Sequence, residues 1–80
     1  MTDDLKQRAH DLDVTVWVGR AGIDPVVAEL RDQLAERELV KVKFLRSARG
    51  GTTSEELAEE LADAVDAELV ETRGHTGVFH

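Results

Sequence analysis

The sequence has no cysteine, one proline, one tryptophan and two phenylalanines in 80 residues, and these scarcities exclude whole classes of protein. Without thiols there is no disulfide framework, no thiolate metal site and no cysteine nucleophile. No apolar run approaches the roughly 20 residues that span a bilayer, so no membrane contact is expected. The N-terminal MTDDLKQR is acidic where a secretory leader would be basic, which points to the cytoplasm. A chain of this length reads as one domain over residues 1–80 and as a monomer, burying about 60–65% of the surface that it exposes when unfolded.

Basic residues are also in the minority, with 10 Lys and Arg against 17 Asp and Glu. On average that disfavours a polyanionic partner, but the arrangement favours one. Positions 39–54 contain no acid and carry Lys41, Lys43, Arg46 and Arg49. Arg20 and Arg73 fall in or beside predicted turns, so the carboxylates collect on the predicted helices. The acid excess with few lysines also suits a protein working in high salt.

What is present is organised around VTVWVGRAGIDP, from Val14 to Pro25. Val14, Val16 and Val18 alternate with Thr15 and Trp17, the period of a half-buried strand. Gly19-Arg20-Ala21-Gly22 then turns the chain, and Asp24 and Pro25 are a good N-cap and a good first helical residue. A strand, a glycine turn carrying a cation, and a helix start form a plausible phosphate clamp. The bland reading, that the glycines only reverse the chain, is the commoner one for an isolated Gly-x-x-Gly.

Three helices are predicted. The first spans Thr2 to Leu12, capped by Thr2, with Asp3 and Asp4 in its first turn and Leu5, Ala9 and Leu12 in one stripe. The second spans Asp24 to about Arg37, with Val27, Leu30 and Leu34 at helical spacing. Thr53 and Glu56 fit a capping box opening the third, which carries Leu57, Leu61 and Val65 and ends at Asp66.

Leu39 to Leu45 reads as the second strand, with Val40, Val42 and Phe44 facing the core and Lys41, Lys43 and Leu45 the other way. RSARGGTT reads as an exposed loop. Ala67 to Thr72 and Thr76 to His80 are the last strands, joined by a tight turn at Gly74. The order αβαβαββ predicts an α/β fold, a two-layer mixed four-stranded sheet backed by helices. Each strand-helix-strand unit is expected to form a parallel pair and the Gly74 turn an antiparallel one.

VWVGRAGIDPVVAEL, ERELVKVKFL and SEELAEELADAVDAELVETRGHTGVF together resemble the CRM domain (chloroplast RNA splicing and ribosome maturation), above all its stand-alone bacterial and archaeal form, YhbY. The likeness covers nearly the whole chain. It implies the fold of the C-terminal domain of bacterial translation initiation factor three, and RNA binding through the Gly-x-x-Gly loop and a basic surface. The partner it implies is ribosomal RNA, or a precursor of the large ribosomal subunit during ribosome biogenesis. By position, Gly19, Arg20, Ala21 and Gly22 form the RNA loop, with Lys41 and Lys43 on the adjacent strand face. Ala21 stands where the family often has Asn, Asp66 where it has Gly, and His75 where Arg is common.

Trp17 lies outside the family pattern. By alternation it leaves the sheet on the same face as Lys41 and Lys43, where it could stack on a base. It could equally be covered by the N-terminal helix through Leu5 and Leu12. Phe44 and Phe79 are expected in the core. His10, His75 and His80 lack ligand-type spacing, so no metal and no cofactor are expected. Glu55-Glu56 and Glu59-Glu60 form a solvated helix face, and Ser47 and Ser54 lie in a loop and at a helix start, with no signal of a nucleophile and its base. An enzyme is not expected. The two readings that remain are an RNA-binding domain and a protein-binding adaptor using its acidic helices, and a continuous surface holding Arg20, Lys41, Lys43 and Arg46 would favour the first.

Overall fold

A computed structural model describes residues 2–80, with side chains from residue 5 onward. Helix α1 (Thr2–His10) is followed by β1 (Val14–Val18), α2 (Val27–Glu36), β2 (Val40–Phe44), α3 (Ser54–Val65), β3 (Leu69–Arg73) and β4 (Thr76–Phe79). The order αβαβαββ is the expected one. The predicted cap at Thr2 and the acids Asp3 and Asp4 involve side chains outside the described residues.

The four strands form one sheet in the order β1-β2-β4-β3. β1 and β2 are parallel, whereas β4 is antiparallel to both of its neighbours. β3 therefore runs in the same direction as β2, but the expected direct pair between them does not form. The two-residue turn at Gly74-His75 folds β4 straight back along β3, and the free edge of β4 then takes β2. Gly74 has φ of 59°, which a tight hairpin requires and an L side chain resists.

One face of the sheet carries the main core. Val16, Val18, Val40, Val42, Phe44 and Phe79 meet Leu30 of α2 and Leu57, Leu61 and Val65 of α3. Gly77 lies opposite Val42, and a Cβ there would come within 3.3 Å of Phe44 Cε2 and 3.4 Å of Ala58 Cβ. The missing side chain is what lets the phenylalanine ring and α3 close on the sheet. Val78, one residue on, points to the other face and is 1% exposed. It joins Ala9 and Leu39 in a second cluster, against which Leu5, Leu12 and Val70 pack. Helix α1 thus covers part of the face opposite α2 and α3, and the predicted two layers gain a partial third.

Local signals resolve in detail. The second helix opens with a 3₁₀ turn, Asp24–Val26, and Ile23 rather than Asp24 occupies the N-cap position, with no side-chain cap. Ile23 already has helical angles, which draws Asp24 into the first turn, where its carboxylate still sits at the positive end of the dipole. Thr53 caps α3, its Oγ1 accepting from the Glu56 amide at 3.1 Å. The reciprocal half of the box is replaced, because the Glu56 carboxylate takes the Thr52 hydroxyl at 3.0 Å. Asp66 ends α3 in the left-handed region (φ 56°, ψ 46°), and the Ala67 amide returns to the Ala62 carbonyl at 2.9 Å.

The exposed edge of β1 is clasped by a side chain. The Thr15 hydroxyl donates to Gln33 Oε1 at 2.6 Å, and Gln33 Nε2 donates to the Thr15 carbonyl at 3.4 Å. This happens where the β1 register shifts between Val14 and Val16, and both devices discourage a further strand from adding there.

Candidate nucleic-acid interface

Parallel strands end together, so the chain leaves β1 and β2 at the same edge of the sheet, and the β3-β4 turn lies there too. The Leu45 amide donates to the Val18 carbonyl at 2.9 Å, and the Phe44 amide to the His75 carbonyl at 2.7 Å. These bonds hold three loops side by side: residues 19–22, residues 45–53 and the turn at 74–75. The carboxyl ends of parallel strands are a common place for ligands in α/β sheets.

The first loop is a hydrogen-bonded turn. The Gly22 amide donates to the Gly19 carbonyl at 3.0 Å, Gly22 has φ of 82°, and Arg20 and Ala21 are exposed at the tip. The Gly22 amide is therefore spent inside the turn, whereas the amides of Arg20 and Ala21 have no partner among the described residues. Gly19 rests against the second loop, where a Cβ would sit 3.8 Å from Leu45 Cδ1 and Ser47 Oγ.

The sheet adds a row of side chains below these loops. Trp17 pairs with Lys43, Lys43 with Thr76, and Thr76 with Arg73, so the row crosses all four strands. Trp17 is 53% exposed, and α1 covers Val78 instead of it. Lys41 lies one row nearer α1, opposite Val78 and half-buried.

The cations differ in what they already hold. Among the described residues, Arg20, Lys41, Lys43 and Arg46 enter no ion pair and no side-chain hydrogen bond, a state that Lys6 and Arg37 share elsewhere. Arg49 is not simply exposed in a loop: its Nε donates to the Phe44 carbonyl at 3.3 Å, and Arg46–Ala48 forms a 3₁₀ turn. Arg73 Nη1 lies 3.2 Å from His10 Nε2, which is also 3.1 Å from Glu71 Oε2. Lys43 is thus the cross-strand neighbour of Trp17 with its charge unspent, and Arg20 and Arg46 stand unspent in the two loops that follow β1 and β2. The exposed acids Glu55, Glu59, Glu60 and Asp63 lie on α3, which packs on the opposite face of the sheet.

Two concavities flank this arrangement. One of about 270 Å³ lies between the start of α3 and the hairpin, bordered by Arg49, Thr52, Ser54 and His75. Ser54 is 4% exposed and its Oγ lies 3.3 Å from His75 Nδ1, a contact between distant residues that no sequence pattern announced. A larger groove of about 480 Å³ lies at the other end of the sheet, bordered by Arg8, Thr15, Arg37 and Glu38. There Arg8 Nη1 donates to Glu38 Oε1 at 3.0 Å, and this hydrogen bond with the guanidinium charge holds the Glu38 carboxyl below its ordinary pKa. The histidines do not converge, since His10 meets Arg73 and Glu71, His75 meets Ser54, and His80 meets Glu68. Thr76 is the member of the exposed row that periodicity alone left unremarked, although its pairing with Lys43 follows once β4 inserts beside β2.

An open mixed sheet, helices on both faces and a glycine turn beside unspent cations define a small α/β domain. The chain belongs to the CRS1 / YhbY (CRM) domain family, whose model matches residues 2–80. It is 45% identical over 71 residues to a protein of Methanocaldococcus jannaschii named "Probable RNA-binding protein". That match covers 89% of this chain and 53% of the relative, so the chain spans about half the length of that protein. The fold is similar to the solution structure of a hypothetical protein of Staphylococcus aureus described as "a putative RNA binding protein". The TM-score is 0.79 at 32% identity, covering 99% of this chain and 81% of the other.

Proposed function

We propose that this chain is a non-catalytic RNA-binding domain that contacts structured ribosomal RNA through the Gly19–Gly22 turn and the adjacent basic strand face, acting in large-subunit assembly in the cytoplasm. The observation that carries this reading is the gathering of Arg20, Lys43 and Arg46, none of them holding an internal partner, beside a turn whose tip amides are open. Unspent cations can release counterions from a phosphate backbone without first breaking an internal bond. Lys41 extends the same face toward α1. Arg49 and Arg73 sit at its margins, and their existing hydrogen bonds aim them. The RNA-binding names of the two relatives support the same reading.

Crosslinking the protein to RNA in its own cells and sequencing what is bound tests this. The expected result is enrichment of large-subunit ribosomal RNA or its precursor, lost when Arg20, Lys43 and Arg46 are replaced together. Recovery of a basic protein through the acidic faces of α2 and α3, with no RNA, would overturn it in favour of the adaptor.

A further inference from the structure

Resting on that RNA-binding reading, we infer that the segment of RNA seated on this face is unpaired, with one base stacked on Trp17 and the flanking phosphates taken by Lys43 and Arg20. Trp17 is the only tryptophan in the chain, and it is 53% exposed on a strand whose neighbours Val16 and Val18 are 1% and 0% exposed. The two buried neighbours fix the strand backbone at Trp17 while about half of the residue stays open to solvent, and an exposed aromatic on a sheet is what a base-stacking platform needs. A single exposed aromatic on a sheet needs no explanation by itself. The register supplies one, because Lys43 is its direct cross-strand neighbour and the row continues through Thr76 to Arg73. A stacking surface and a chain of polar and cationic groups lie side by side, three strand spacings or about 14 Å from end to end.

The shape of the shelf selects against a duplex. The next row toward α1 is Lys41 and Val78, and Val78 is already closed over by Ala9. The contact of Arg73 with His10 brings the end of α1 to the margin of the open row itself. The free strip is therefore narrow on the side of α1, where Val78 is covered and Lys41 is half-buried. A paired helix keeps its base faces stacked on one another and offers backbone and groove edges, which Trp17 cannot use. An unpaired strand can turn one base down onto the indole while its backbone passes between the lysine and the Gly19–Gly22 turn. Charge alone predicts the reverse preference, because a duplex packs phosphates more densely than a single strand.

The single tryptophan makes the test direct. The whole protein is titrated with a 12-nucleotide mixed-sequence RNA and, separately, with the same strand annealed to its complement. Binding is followed by anisotropy of labelled RNA, and Trp17 emission is read with unlabelled RNA. Tighter binding of the single strand with quenching of Trp17 is expected. Trp17→Ala should weaken single-strand binding about five- to hundredfold, the range for loss of one base-aromatic stack, and Trp17→Phe should restore part of it. The unfolding midpoint of each variant in denaturant confirms that the fold is retained. Equal or tighter binding of the duplex, or single-strand binding without quenching and without loss in Trp17→Ala, would overturn this inference and leave the RNA-binding reading intact. Binding of neither probe would overturn this inference as well, and the crosslinking experiment then decides the RNA-binding reading by itself.

Discussion

The Leu45 amide reaches the Val18 carbonyl at 2.9 Å, and this one bond ties the glycine turn that follows β1 to the basic loop that follows β2. The two segments are 27 residues apart in sequence at this bond and act as one surface because of it. Changes in either loop should therefore be felt by the same ligand.

Gly19→Asp should weaken RNA binding on the order of tenfold, about 1.4 kcal/mol, with little change in stability. Its Cβ would meet Leu45 and Ser47 at an ordinary 3.8 Å, and the added carboxylate would repel phosphate at the tip of the turn. Gly22 is a poorer probe, because φ of 82° would strain most side chains there and confound folding with binding. Anisotropy titration beside a denaturant melt separates the two effects, and unchanged affinity in the folded variant would count against the turn as a contact.

Lys43→Ala with Arg46→Ala should lower the dependence of affinity on salt. If each takes one phosphate of a single strand, the slope of log K against log salt falls by about 1.4. A salt series on parent and variant measures it. Parallel lines would place the phosphates elsewhere.

Gly77→Ala should destabilise the fold by about 1–3 kcal/mol, the usual cost of overpacking a close-packed core. The new methyl would meet Phe44, Ala58 and Phe79 at 3.3–3.4 Å, and all three are fully buried. Urea unfolding gives the number directly.

Replacing Arg8 by Met should raise the pKa of Glu38 toward that of an ordinary carboxylate. The Arg8 hydrogen bond, followed by its charge, is the main cause of the lowering, with a smaller contribution from His80. The sign is that of a depressed acid. Whatever the pair adds to stability is present above the unfolded pKa and is lost as pH falls through the folded one. Carboxyl NMR titration of Glu38 in both proteins checks the shift.

Much of this was legible in the chain before folding. The alternation of Val16 and Val18, and of Val40, Val42 and Phe44, set which side chains enter the core, because strand period and burial are the same fact, whereas the register shift after Val14 takes that residue out of the pattern. The left-handed end of α3 could be read at Asp66, and the Gly74 turn in its glycine. The insertion of β4 between β2 and β3 could not be read, since local pattern carries no information on which edge a hairpin joins. The same limit hid the clasp of Gln33 on Thr15 and the contact of Ser54 with His75, which join residues 18 and 21 apart. Whether α1 or solvent covers Trp17 was open for a related reason. Leu5 and Leu12 define an apolar stripe but not its destination, which is Val78.

The separation of that second cluster from the main core has a dynamic consequence. Ala9, Leu39 and Val78 are held apart from the large cluster by the thickness of the sheet, so α1 can detach while the strands and the other two helices keep their packing. Units that bury little surface open at lower free energy than the whole domain. Amide hydrogens of α1 should therefore exchange with solvent faster than those of β2 and β4. Each such opening would bare Val78 beside Lys41 and add an apolar patch to what a long ligand can touch.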